Sequence, residues 1–167
     1  ANCPNLGECY KKHTATFMIL GNICTRNCKF CNVTTGRPLP PDENEPENVA
    51  KAAKKLGLRH VVLTCSTRDD LADGGAEHFA KTVRAIRKIC PGATVETLIS
   101  DMKMNTDALD IIADVHPDVI NHNVETVKEL QKAVRPQADY ERSLNVLKYF
   151  KQKDKTLVTK TGFMVGL

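Results

Sequence analysis

RHVVLTCSTRDDLADGGAEHFAKTVRAIRKICPGATVETLIS, residues 59–100, decides the architecture. It opens on a β-branched run, His60-Val61-Val62-Leu63-Thr64, that ends in a polar loop. Phe79, Val83, Ile86 and Cys90 then recur at i, i+4, i+7 and i+11, the period of a helix with one buried face, and Pro91-Gly92 stops it. Thr94 to Ile99 is the next strand. Strand, helix, strand is the unit of a parallel sheet with right-handed crossovers. The pattern continues in both directions. Upstream, Thr16 to Leu20 is a strand, and a helix begun by Pro46 and Glu47 and closed by Gly57 carries Val49, Ala53 and Leu56 on one face. Downstream, Leu109, Ile112 and Val115 mark a helix ahead of Pro117, and Asp118 to His122 is a strand. Helices around Val127–Val134 and Tyr140–Phe150 follow, then a closing stretch from Leu157 in which Gly162 to Leu167 is an apolar strand.

About five strand–helix units predict an α/β fold, either an open sheet or a partial (β/α) TIM-like barrel. An apolar strand at the terminus has nothing after it to cover its edge, so the chain is expected to be a fragment, cut at both ends, of a larger barrel. The division expected is an N-terminal segment over 1–15 and a truncated barrel over 16–167.

Composition removes several classes. With 41% apolar residues the chain can bury a core, and nine Gly with eight Pro are too few for a collagenous or low-complexity chain. No apolar stretch approaches the roughly 18–20 residues that span a bilayer. No secretory apolar region is visible, although the chain opens at Ala1 without Met and a removed leader stays open. The net charge of +4 is spread along the chain and argues only weakly for nucleic acid.

Seven cysteines are an odd number, and Cys3, Cys9, Cys24, Cys28 and Cys31 crowd the start. A disulfide framework uses pairs in a short, loop-rich chain. Here the remainder reads as ordinary helix and strand, so reduced thiols held for metal are expected. Cys24-x-x-x-Cys28-x-x-Cys31 places three thiolates in one loop after the first strand. A structural zinc site wants four protein ligands, usually as two Cys-x-x-Cys knuckles. An iron–sulfur cube also takes thiolates, and three leave one iron open.

With Phe30 just before Cys31, this loop resembles the signature of radical S-adenosylmethionine enzymes. That resemblance implies a 4Fe–4S cluster held by Cys24, Cys28 and Cys31, which are then both the metal ligands and the catalytic centre. The open iron chelates the methionyl amino and carboxylate groups of S-adenosyl-L-methionine. Electron transfer to the sulfonium then releases a 5′-deoxyadenosyl radical that removes hydrogen from an unactivated carbon. The flanks narrow the match. Cys3-Pro4-Asn5-Leu6-Gly7-Glu8-Cys9, Gly36-Arg37-Pro38, Arg68-Asp69-Asp70-Leu71-Ala72-Asp73-Gly74-Gly75, Asn121-His122-Asn123-Val124-Glu125-Thr126-Val127, Val134-Arg135-Pro136 and Thr159-Lys160-Thr161-Gly162 resemble the lipoyl synthase family.

That family inserts two sulfur atoms, at C6 and C8 of an octanoyl group on a lipoyl carrier protein, and sacrifices a second 4Fe–4S cluster as sulfur donor. The resemblance assigns Cys3 and Cys9 to this auxiliary cluster, with its first cysteine before Ala1 and a serine beyond Leu167. The chain alone is therefore expected not to form lipoate. Implied partners are the octanoylated carrier, an electron donor such as ferredoxin or flavodoxin, and an iron–sulfur carrier, with no nucleic acid and no membrane. The implied compartment is the cytoplasm, or the mitochondrial matrix in a eukaryote. Alternatives are another sulfur-inserting enzyme resembling biotin synthase, an iron–sulfur electron carrier, or a zinc-stabilised binding module.

For the nucleotide, the resemblance sets Phe30 beside adenine, Thr64-Cys65-Ser66 at the methionyl amino group, Asn123 and Glu125 at the ribose hydroxyls, and Arg135 at the methionyl carboxylate. Gly166 would let backbone approach the adenine. The family usually has Thr-Ser-Val where this chain has Thr64-Cys65-Ser66, so Cys65 is either a packed thiol or a stray ligand. Cys90 reads as a small core residue, and His13, His60, His78 and His116 as surface or satisfied groups. His122, between two Asn residues, is a possible contact. Asp69 and Asp70 read as loop-fixing partners of Arg68 or as a helix cap. Lys148, Lys151, Lys153 and Lys155 read as a solvated face, or as a dock for an acidic carrier.

Overall fold

The computed structural model describes residues 5–167. Helix α1 (Leu6–Lys11) precedes β1 (Thr14–Ile19), and a short parallel pair, β2 (Ile23–Cys24) with β3 (Thr34–Thr35), closes the cysteine loop. Then come α2 (Glu45–Lys55), β4 (His60–Cys65), α3 (Ala76–Ile89), β5 (Thr94–Leu98), α4 (Thr106–Asp114) and β6 (Val119–Asn121). The short α5 (Gln131–Val134), α6 (Tyr140–Lys153) and β7 (Val158–Lys160) complete the chain. The main sheet has the order β1-β4-β5-β6-β7 and every pair is parallel.

That order never reverses, so each right-handed crossover puts its helix on the same face. A doubly wound sheet would reverse and carry helices on both. The buried residues agree. Ala15, Ile19, Val61, Leu63, Val95, Ile99 and Ile120 of the sheet share one core with Val49 and Ala53 of α2, Phe79, Val83 and Ile86 of α3, Leu109 and Ile112 of α4, and Val146 and Phe150 of α6. The opposite face carries Thr16, Met18 and Val158 towards solvent, and Glu96, which accepts from Asn121 Nδ2 at 2.9 Å and Lys160 Nζ at 2.8 Å. This is the helix-clad outside and bare inside of a partial (β/α) barrel.

The helix ends follow local rules. Pro46 lies in the first turn of α2, with Glu45 and Glu47 beside it and Lys54 and Lys55 in the last turn. Asn105 caps α4 by accepting from the backbone N–H of Asp107 and Ala108, and Asp139 caps α6 through Arg142 N–H. The six described cysteines, Cys9, Cys24, Cys28, Cys31, Cys65 and Cys90, are all unbridged.

Three expectations need correction. Leu56 does not share the buried face with Val49 and Ala53; it is 53% exposed, because it follows the last turn of α2 and the chain reverses at Gly57 (φ +59°). Residues 127–134 are not one helix. A 3₁₀ turn, Lys128–Leu130, runs into four-residue α5, while the buried Gln131 amide donates to Val124 O and Thr126 O and ties this segment to the preceding loop. Nor is Gly162 to Leu167 a strand. The last ladder ends at Lys160, and beyond it a single bridge joins Glu125 to Phe163. With β6 finished at Asn121, those residues have no continuous neighbour to pair with, and Val165 is 96% exposed.

Candidate functional site

The cysteine loop starts from a turn that needs outside support. After β1, Leu20 adopts φ +66° and Gly21 φ +85°. A left-handed conformation is costly for leucine, yet Leu20 is buried and pinned at both backbone groups. Its N–H donates to Glu45 Oε2 at 2.8 Å and its carbonyl accepts from Arg68 Nη1 at 3.1 Å. Arg68 is itself buried and forked onto Asp70 at 2.9 and 2.8 Å. The chain is thereby sent across the C-terminal ends of the strands. Parallel α/β folds build their sites at that rim.

There the loop and the ends of β1, β4, β5 and β6 enclose a cavity of about 330 Å³. All eight residues expected to hold the cluster and nucleotide line it: Cys24, Cys28, Cys31, Phe30, Ser66, Asn123, Glu125 and Arg135. Cys24 is buried, and its Sγ accepts from the N–H of Thr67 at 3.2 Å and of Arg26 at 3.4 Å. Cys31 is exposed, with its Sγ on Val33 N–H at 3.4 Å. Burial pushes the Cys28 thiol up, while the Arg135 guanidinium pulls it the other way. Soft sulfur donors that already accept backbone N–H bonds suit iron–sulfur ligation. Among the described residues no three His, Cys, Asp or Glu side chains converge to hold a single ion. The three thiols share one cavity instead, and a cube of iron and sulfide holds its thiolates farther apart than one ion does. The donor set fits the cluster better than zinc.

The other groups are oriented by short-range bonds. Ser66 Oγ donates to Gly21 O at 3.2 Å, and Asn123 Nδ2 donates to Glu125 Oε1 at 3.0 Å. Gly162 lies so near that a Cβ there would come within 2.5 Å of Asn123 Oδ1. Arg135 Nη1 donates to Val124 O at 3.0 Å, and its buried Nε has no partner. Burial pushes the Cys65 thiol up to about 12; it faces the cavity as a neutral thiol. Gly166 lies away from the cavity's lining. Cys9 sits half-buried on α1, also outside that lining, and Cys3 lies outside the described residues.

Arg26 is a cavity-lining residue that the motif reading missed. Between Cys24 and Cys28, it is forked onto Asp69 at 2.6 and 2.8 Å and onto Asp101 at 2.6 and 3.0 Å. Asp101 also accepts from Arg142 Nε at 2.8 Å. Burial opposes charge on Asp101, but the two guanidiniums outweigh it and hold the carboxyl far below the usual carboxylate range. The only available hint was a charged residue inside a ligand loop. Asp70 fixes its loop with Arg68 as expected, whereas Asp69 is held by Arg26 instead, and neither caps a helix. His78 pairs with Glu45 at 2.7 Å, and His60 lies 3.5 Å from Glu96. Of the lysine run, Lys153 is held by Asp110 and Lys151 by Lys155 O, so the face is partly committed.

Comparison with known proteins agrees. The Radical SAM superfamily model matches residues 18–167. The chain is 60% identical along its whole length to a lipoyl synthase of Caldanaerobacter subterraneus subsp. tengcongensis, covering 58% of it. It is 58% identical to one of Rubrobacter xylanophilus, covering 52%. It thus spans about half the length of these curated relatives. Among solved structures it resembles methylornithine synthase, with a TM-score of 0.71 at 17% identity over 90% of this chain and 44% of that one. A coproporphyrinogen III oxidase from Escherichia coli gives 0.62 at 17% identity over 92% and 37%. Cysteine loop, one-way parallel sheet and family model coincide over the same residues, and the chain belongs to the radical SAM superfamily.

Proposed function

We propose that this chain is the cluster-binding and nucleotide-binding part of a lipoyl synthase, which inserts two sulfur atoms at C6 and C8 of a protein-bound octanoyl group. The observation that carries the reading is one cavity lined by Cys24, Cys28, Cys31, Phe30, Ser66, Asn123, Glu125 and Arg135, in a chain 60% identical to a lipoyl synthase throughout. The superfamily implies a 4Fe–4S cluster and S-adenosyl-L-methionine. When bound, this pair supplies reductive cleavage of the sulfonium and a species able to remove hydrogen from unactivated carbon.

The chain's own residues bind and orient. Cys24, Cys28 and Cys31 would hold the cluster through their thiolates. Arg135 presents a fixed cation to the methionyl carboxylate, and Ser66 borders the amino group. Asn123 and Glu125, already joined, offer amide and carboxylate to the ribose hydroxyls. Phe30, on the cavity lining, would sit beside the adenine. Cys3 and Cys9 contribute to the auxiliary sulfur-donor cluster, supported by their spacing. The octanoylated carrier protein is the substrate, ferredoxin or flavodoxin the reductant, and the cytoplasm or mitochondrial matrix the compartment. Among the described residues no helix is long and apolar enough to cross a membrane.

Anaerobic reconstitution with iron and sulfide tests the reading. The cluster's EPR signal is expected to change on addition of S-adenosylmethionine, and dithionite to yield 5′-deoxyadenosine. In the reconstituted chain, Cys28→Ala is expected to abolish both. A reconstituted cluster whose spectrum ignores S-adenosylmethionine would refute the assignment. Failure of a lipoyl synthase in which this chain replaces the matching segment to convert an octanoyl peptide to lipoyl peptide would leave the superfamily but remove the synthase.

A further inference from the structure

Several buried polar side-chain atoms lack a partner, and among the described residues two of them belong to residues lining the cavity, Arg135 Nε and His122 Nε2. The first belongs to a cation already assigned above. The second has no role yet. His122 is 1% exposed at the end of β6. Its Nδ1 lies 2.9 Å from Ile99 O. A carbonyl oxygen can only accept, so Nδ1 carries the hydrogen and, in the neutral ring, Nε2 carries a lone pair. Burial and the nearby Arg26 and Arg135 disfavour the charged ring, with Asp101 opposing them. A buried acceptor left unpaired is costly, and His122 is part of the cavity's lining.

The geometry points to His122 as a binding residue that accepts, at Nε2, a hydrogen from an O–H or N–H donor of the cavity's ligand. This rests on the nucleotide reading above. S-adenosylmethionine brings three kinds of such donor, the ribose hydroxyls, the methionyl ammonium and the 6-amino group of adenine. The shared chemistry is donation to a neutral imidazole, and the test separates the sources.

His122→Asn keeps an amide N–H where Nδ1 donates to Ile99 O but leaves nothing at Nε2. His122→Gln restores an acceptor oxygen there. In the anaerobically reconstituted chain, the Asn variant is expected to bind S-adenosylmethionine about three- to tenfold more weakly, and the Gln variant within about twofold of the parent. The penalty should vanish for 2′,3′,5′-trideoxyadenosine with methionine if a hydroxyl is the donor. It should vanish for 5′-deoxyadenosine with the deaminated methionine analogue if the ammonium is. It should vanish for 5′-deoxyinosine with methionine, which lacks the 6-amino group, if that group is the donor. A penalty unchanged for all three ligand sets marks a purely structural role and overturns the proposal. Equal affinities of parent and Asn variant also overturn it, and mean that a buried water serves Nε2. Should the Asn variant unfold, ¹⁵N-histidine labelling of the parent decides: the Nε2 resonance of His122 moves on addition of S-adenosylmethionine, and a fixed resonance sinks the idea. A parent that binds no S-adenosylmethionine removes the nucleotide reading and this inference together.

Discussion

Two halves of this molecule are held together by different physics. The helix-clad face packs Ala, Val, Leu, Ile and Phe side chains, with Phe79, Val83, Ile86, Leu109, Ile112 and Phe150 fully buried. The strand-end rim is fastened by charge: Arg26 to Asp69 and Asp101, Asp101 to Arg142, Arg68 to Asp70. Apolar packing is non-directional and sums over area, so it fixes a layer. Forked guanidinium–carboxylate pairs are directional, so they can aim a loop that has no core of its own. The loop that brings three thiols to one cavity uses the second device where the first cannot reach.

The contrast can be broken in order of size. Phe79→Ala empties the centre of α3 and should cost about 3–5 kcal/mol by chemical denaturation, with iron bound per surviving folded chain unchanged. Asp101→Asn should cost about 3 kcal/mol, since it leaves Arg142 and half of the Arg26 fork without their partner. Unlike the Phe79 change, it should also lower the iron retained after reconstitution. If Asp101→Asn keeps full iron, the rim network does not aim the loop.

The same carboxylate gives a pH signature. Its folded pKa lies below the unfolded value of about 3.9, so its stabilisation is complete above that value and is lost as pH falls towards the folded one. Acid titration of stability should therefore be shallower for Asp101→Asn than for the parent, while Phe79→Ala keeps the parent's slope. Gly75→Ala comes next. Gly75 sits at φ +93° before α3, and a Cβ there would overlap Leu20 Cδ1, which is a flexible tip, so about 1–2 kcal/mol is expected. Leu56→Lys, on the solvent side of a helix end, should stay within about 0.5 kcal/mol.

How much was legible follows from the same division. Apolar periodicity reports burial, so β1, β4, β5, β6 and the helices between them could be read residue by residue. It failed where burial did: at Leu56, at Gly162 to Leu167 and in the 127–134 segment, whose turn is set by the Gln131 amide rather than by an apolar face. Cysteine spacing exposed the loop that lines the cavity because its three thiols are neighbours in the chain. The Arg26–Asp101 pair joins residues 75 positions apart, and no local pattern encodes such a pair. His122 was visible only as a polar residue at a strand end; its lone pair became apparent once Ile99 O was seen to take the other nitrogen.

One-way winding also separates the two mouths of the sheet by purpose. The returns from α2, α3, α4 and α6 to the next strand, at Gly57-Leu58, Pro91-Gly92, His116-Pro117 and Asp154 to Thr156, lie at the mouth opposite Cys24, Cys28 and Cys31. Lengthening those returns alters no ligand's approach, so insertions and reporter peptides belong there, and a trimmed or grafted variant can be evolved from beneath while the chemistry above stays in place.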